Sequence, residues 1–166
     1  MSSAPHRLFR LLALIWVGSA LTIGYVVAPT LFAMLARSVA GDVAARLFRI
    51  EAFVGVTCGI LSLALGNMLV RRGMLEYRRL RWLVAGMLIC VLIGYFGLQP
   101  FMDALRTAAR DAGQDIAQSA YAARFGVLHG IASLFYVVET LLGLALVWVL
   151  PAGQHGPSVG AANVAA

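Results

Sequence analysis

FGVLHGIASLFYVVETLLGLALVWVL, residues Phe125–Leu150, decides the fold, because its only formally charged side chain is Glu139. About 20 mainly apolar residues suffice for a helix to cross the hydrocarbon core of a bilayer. Working outward, three more stretches meet the same test: Leu80–Met102, Leu47–Val70 and Leu8–Leu35. The sequence therefore predicts an all-α integral membrane protein, a four-helix antiparallel bundle occupying residues 1–150 as one domain. The remainder, 151–166, carries no charge and is rich in Gly, Pro, Ala and Ser, which predicts a disordered C-terminal tail.

Composition excludes the soluble alternative. Hydrophobic residues make up 61 % of the chain and charged residues 12 %, about half the ~25 % charged share of a soluble domain. Too few charges exist to build a water-facing exterior, so the surplus apolar surface faces lipid. The net charge of +6 comes from arginine alone, since the chain has no lysine. These arginines sit in short clusters between apolar runs, as in membrane proteins that follow the positive-inside rule, and form no basic face for nucleic acid. Cys58 and Cys90 lie within apolar runs and read as small buried side chains.

The first run has the basic start of a signal peptide (Arg7, Arg10). Its one small-residue site, Val26-Val27-Ala28, is followed directly by Pro29, and the run continues through Leu35. A retained helix with a kink near Pro29 is expected. Arginine placement gives the orientation. Arg7, Arg10, Arg71, Arg72, Arg78, Arg79 and Arg81 lie on one side, against Arg37, Arg46, Arg49, Arg106, Arg110 and Arg124 on the other. The short, dense middle loop places both termini in the cytoplasm of a bacterial inner membrane.

The two outer connections resemble each other. Pro29 precedes Gly41 by twelve residues and Pro100 precedes Gly113 by thirteen, each glycine followed by an aspartate, Asp42 or Asp115. The spacing predicts two helical hairpins with helical extensions on the outer side, each stopped by its glycine and restarted by an aspartate N-cap. Beyond that pattern the halves share negligible identity. Small residues four apart predict close helix packing within the chain: Gly55/Gly59, Ser62/Gly66, Gly86/Cys90/Gly94 and Gly126/Gly130.

Glu139 is the chemical anomaly. A charged carboxylate near mid-span costs roughly 2.5–3.5 kcal/mol on insertion scales, so it is expected to be protonated, paired or wetted by a cavity. His129, Ser133, Tyr136 and Thr140 follow one another at spacings of four, three and four. They give this helix a polar face that must look into the bundle. With Glu139 they form the candidate intramembrane polar site, either a proton or cation relay or a structural hydrogen-bond cluster. His6 and His155 lie near the ends of the chain, so a bis-histidine haem site within one chain is not expected. A soft metal ion such as copper(I) could find only His129, Met34 and Met102. Arg46, Arg49, Glu51 and Arg124 read as interface residues at the outer rim. No Walker loop, CxxC, HExxH or GxSxG motif occurs, which argues against a soluble-type enzyme and gives no catalytic residues.

Trp16-Val17-Gly18, Ala28-Pro29-Thr30-Leu31-Phe32, Ala40-Gly41-Asp42, Leu47-Phe48 and Phe125-x-x-Leu128-His129 together resemble the transmembrane protein 205-like family, a membrane domain of unknown function. The resemblance runs from about Leu8 to Leu150. It implies a four-helix membrane domain with Pro29 and His129 among the family's characteristic positions, and no established reaction. The polar residue that follows the histidine in relatives is replaced here by Ser133-Leu134-Phe135-Tyr136-Val137. The leading functional expectation is a non-enzymatic accessory or transport-related bundle without a cofactor, in contact with lipid and with a possible homo-oligomeric or membrane-protein partner. The alternatives are a membrane redox or metal-binding protein, related to copper or haem, and a structural subunit of a membrane complex.

Overall fold

The computed structural model describes residues 4–150, so the expectations for the 151–166 tail and for His155 lie outside the described residues. Six α-helices follow in order: α1 (Ala4–Thr22), α2 (Ala28–Met34), α3 (Arg37–Arg71), α4 (Tyr77–Val91), α5 (Gln99–Asp111) and α6 (Ala122–Trp148). Ile23–Val27 joins α1 to α2, and Leu92–Gly97 leads from α4 towards α5, each as a π-helical segment. The result is four spans long and apolar enough to cross a membrane: Ala4–Met34, Arg37–Arg71, Tyr77–Asp111 and Ala122–Trp148.

Each span packs on its neighbours in a closed square, α1 on α3, α3 on α4, α4 on α6 and α6 on α1. This is the up-down-up-down arrangement that short connections favour. At one end, here the terminal end, the His6 ring hydrogen-bonds the Tyr77 hydroxyl, bringing the N-terminus to the turn before α4. At the opposite, distal end, Arg110 near the end of α5 pairs with Asp42 in the first turns of α3.

The expected repeat of connections holds for one of the two. Gly113 has a φ of +67° just beyond α5, and the Asp115 side chain accepts from the Ala117 N–H at 2.9 Å. That is the glycine stop and aspartate cap the sequence predicts. Gly41 and Asp42 depart from it. They lie inside α3, and the chain breaks earlier, at Leu35 and Ala36, whose backbones are extended. Nothing lies within 4 Å of a Cβ built on Gly41, so no crowding stops the helix there, and the Asp42 carboxylate is taken by Arg110 rather than by a backbone N–H.

The prolines act through the π segments. Where a kink was expected near Pro29, the helix widens just before it, and the Ala28 N–H reaches back to the Ile23 carbonyl. Proline offers no N–H to the turn behind it, and a π turn is one way the chain absorbs that loss. The second π segment precedes Pro100 in the same way, and the two contain one triplet: Ile23-Gly24-Tyr25 and Ile93-Gly94-Tyr95. The halves therefore share a local repeat where negligible identity was expected. Both glycines face adjacent residues of α6. A Cβ on Gly24 would lie 2.3 Å from the Tyr136 ring, and one on Gly94 would lie 2.9 Å from Cβ of Phe135.

The packed core fills the terminal half, with Phe9, Trp16, Tyr77, Leu80, Val84, Met87 and Leu146 all buried. Most of the small-residue pairs serve it. Gly55 and Gly59 admit Trp16, Gly66 admits Phe9 and the stem of Arg81, and Gly86 meets Leu142. Gly126 and Gly130 do not pack within the chain as expected, because a Cβ on either would touch nothing within 4 Å. Gly94→Ala is therefore expected to destabilise the bundle by about 1–3 kcal/mol, because the crowding atom is a Cβ fixed to the α6 backbone. Gly130→Ala should be neutral or slightly stabilising. Thermal unfolding of the two variants in detergent checks this, and equal midpoints would show that α6 yields at Phe135.

Candidate functional site

The distal half of the bundle holds a chamber of about 340 Å³ between the four spans. All four spans line it: Gly24 and Tyr25 from the first, Phe48 and Glu51 from the second, Gly94 and Tyr95 from the third, and His129, Ser133, Tyr136 and Glu139 from the fourth. Both π segments thus open onto the same space, a placement common for such segments. A vestibule of about 800 Å³ adjoins it at the distal end, with Arg37, Asp42, Arg110 and Asp115 among its lining residues. Phe32, Gly41, Arg106 and His129 border both volumes and mark the neck between them.

Glu139 lies deep in the bundle and is 2 % exposed. Its Oε1 accepts from the Trp16 indole N–H at 2.9 Å. That donor cannot swing away, because Trp16 is fully buried and seated over Gly55 and Gly59. The next contacts tie α6 to the first span. The Tyr136 hydroxyl donates to the Ala20 carbonyl at 2.7 Å, and the Tyr25 and Thr140 hydroxyls share a hydrogen bond of 2.9 Å. Ala20 lies four residues before Gly24, at the entry to the first π segment, where an inserted side chain can take a carbonyl from the helical ladder.

His129 and Ser133 are exposed, at the neck and on the chamber wall. The Ser133 hydroxyl donates to the His129 carbonyl at 2.8 Å, and the His129 ring stacks on Phe125 with centroids 5.9 Å apart. Arg106 sits 5.0 Å over the other end of this cluster, the Phe125 ring, and meets Asp103 at 3.4 Å. The cation at the neck thus carries its own counter-charge.

Of the five residues expected to form the polar site, four line the chamber, and Thr140 joins it through Tyr25. The suggested soft-metal set is divided. Met102 is buried on the chamber wall near His129, whereas Met34 is 77 % exposed at the end of α2 and borders neither volume. Among the described residues no group of three or more His, Cys, Asp or Glu side chains is placed to hold a metal ion. Cys90 also lines the chamber and, like Cys58, is a free buried thiol.

Glu51 is the residue whose place the sequence misjudged. Read as a rim residue beside Arg46 and Arg49, it is 3 % exposed and faces the chamber, with Oε1 buried and without a hydrogen-bond partner. The α3 helix is 35 residues long, about 52 Å at 1.5 Å per residue, far more than the bilayer core requires. Its basic first turns therefore run along the vestibule, and Glu51 falls below them. The available signal was the heptad-like series Glu51, Gly55, Gly59, Ser62 and Gly66, one continuous inward face.

The Trp16–Glu139 bond makes a directional prediction. Trp16→Phe leaves a buried carboxyl oxygen unanswered and is expected to cost about 1–3 kcal/mol. Glu139→Gln keeps an acceptor for the indole and should stay within about 1 kcal/mol of the parent. Unfolding of both variants in detergent decides the point, and an unchanged Trp16→Phe midpoint would remove the bond from the list of stabilising contacts.

No curated protein and no solved structure matches the chain. The family model described as "Domain of unknown function (DUF4149)" matches residues 11–111, a stretch that contains Trp16, both Ile-Gly-Tyr triplets and Glu51 and stops before α6. With more than half its length matched, and with four spans suited to a bilayer, the chain belongs to the DUF4149 family of membrane proteins of unknown function.

Proposed function

We propose that the protein is a transport-related helical bundle of the bacterial inner membrane, in which Glu139 at the floor of the chamber receives a proton or cation from the distal side. The observation that carries this reading is a carboxyl group about halfway down a bundle, reached by a chamber rather than sealed in the core. Intramembrane ionisable residues that face a cavity mark ion and substrate pathways. The Tyr136, Ser133 and His129 groups supply polar steps from that floor to the neck. No reaction chemistry beyond proton or cation exchange is needed. The finer resemblance to the transmembrane protein 205-like family, with Pro29 beside the first π segment and His129 at the neck, fits this reading.

A second reading, a subunit docked to a membrane partner, has one observation in its favour: the open small-residue face at Gly126 and Gly130. Recovery of a stoichiometric partner lost in Gly126→Leu would favour it.

The transport reading is tested in proteoliposomes with a trapped pH-sensitive dye under an imposed potassium diffusion potential. Proton entry is expected with the parent protein and to slow at least about tenfold with Glu139→Gln, a barrier change of about 1.4 kcal/mol. Entry no faster than in protein-free vesicles, or equal in both proteins, would sink it.

Orientation has its own test. With both termini cytoplasmic, a fluorescent protein fused after Ala166 should fluoresce and alkaline phosphatase at the same position should be inactive. The reverse pattern would turn the vestibule towards the cytoplasm.

A further inference from the structure

We infer that the chamber is a binding site for a monovalent organic cation, a protonated amine with an apolar body, and that Glu51 is its charge-recognising residue. The inference rests on the reading of the chamber as a solute site and names the class of solute.

Three observations converge on it. Glu51 is 3 % exposed, faces the chamber and has an oxygen with no hydrogen-bond partner. A buried carboxyl oxygen left this way costs free energy that a positively charged donor would recover. Glu139, by contrast, is already anchored by Trp16. Its position relative to Glu51 follows from the packing. Gly55 is one turn from Glu51, and a Cβ on Gly55 would lie 2.7 Å from the indole nitrogen that donates to Glu139. Both carboxyls therefore reach the chamber, with Glu51 placed one turn of α3 to the distal side of the Trp16 indole. One open acceptor above one anchored acceptor suits a single ammonium head.

The walls choose between cations. Phe48, Tyr25, Tyr95 and Tyr136 line the same space, and the Phe48 and Tyr136 rings meet edge to face at 5.2 Å. Aromatic faces attract ammonium groups, and more strongly once water has been stripped from them. A hard metal ion would need six or more oxygen ligands, far beyond what two carboxyls and scattered hydroxyls provide here. The volume of about 340 Å³ lies within the range of small-molecule sites, ~300–1,000 Å³, and exceeds what a bare ion fills. The charged groups facing the chamber from the other elements are Arg106 and His129, both at the neck. Arg106 is held by Asp103, so the floor remains the acidic end.

The probe is benzyldimethylammonium, whose one N–H can donate to Glu51, with benzenesulfonate as the anion of similar body, measured by equilibrium binding to the full chain in detergent. Saturable binding of the ammonium and none of the sulfonate is expected. Affinity should fall at least about tenfold in Glu51→Gln, as expected when one member of a buried charge pair is neutralised. If Glu51→Gln does not fold, Ala45→Phe, on the α3 wall of the chamber, which narrows that space and leaves both carboxyls in the sequence, should abolish binding instead. No binding by folded parent protein, equal affinity for the sulfonate, or unchanged affinity in the folded variant would overturn the assignment. Binding without proton entry would remove the transport reading and keep the site. Glu139-dependent proton entry without binding would do the opposite.

Discussion

Trp16 holds the middle of the bundle together, because it answers a polar group that lipid and core cannot. Its indole is fully buried between the first, second and fourth spans, its N–H donates to Glu139, and its ring occupies the room that Gly55 and Gly59 leave. In a bilayer no hydrophobic force draws helices together, so close packing and interhelical hydrogen bonds must do it. One side chain here supplies both. The glycines of α3, the carboxyl of α6 and the buried face of α1 have their positions relative to this ring, and the chamber begins where it ends.

Above Trp16 the packing changes character. The two π segments, each followed by a proline, set Gly24 and Gly94 against neighbouring residues of α6, so that helix is received from two sides at the same level. Widened turns and missing side chains let backbones approach at those two points. The tyrosines that follow, Tyr25 and Tyr95, line the chamber between them. These two close approaches hold the first and third spans against α6 beside the chamber. The duplicated triplet is thus both a packing device and the frame of the site.

The four spans could be read directly from hydropathy, since composition left lipid as the only environment able to take so much apolar surface. The spacing of His129, Ser133, Tyr136 and Thr140 puts them on one side of α6, but their burial differs along it: His129 and Ser133 are exposed and Thr140 is buried. The Gly113–Asp115 stop was legible as well, because a positive φ and a side-chain cap have local causes. The break at Leu35 and Ala36 was not, as neither residue type marks a turn, while the glycine at 41 sits unstrained in a helix. Glu51 was hidden by its arginine neighbours: the interface depth of a residue depends on how far its helix projects, which tertiary contacts such as Arg110–Asp42 decide. The Ile-Gly-Tyr repeat is visible only when the halves are aligned on the two prolines, because the flanking residues diverge and the intervals to the prolines differ by one.

The same architecture limits what the chamber can do alone. Below Trp16 the bundle is closed by Phe9, Leu80, Val84, Met87 and Leu146, a close-packed layer with no polar path through it. Polar groups reappear only near the terminal end, where His6 meets Tyr77 and Arg81 meets Asn67. Ser62, buried between the two regions and without a hydrogen-bond partner, is the single polar group in that gap whose hydroxyl is unanswered. It lies on the same α3 face as Glu51, between Gly59 and Gly66. The Phe9–Trp16 layer therefore closes the chamber on the terminal side. The bond that organises the bundle, Trp16 to Glu139, thus also sets the floor of its chamber.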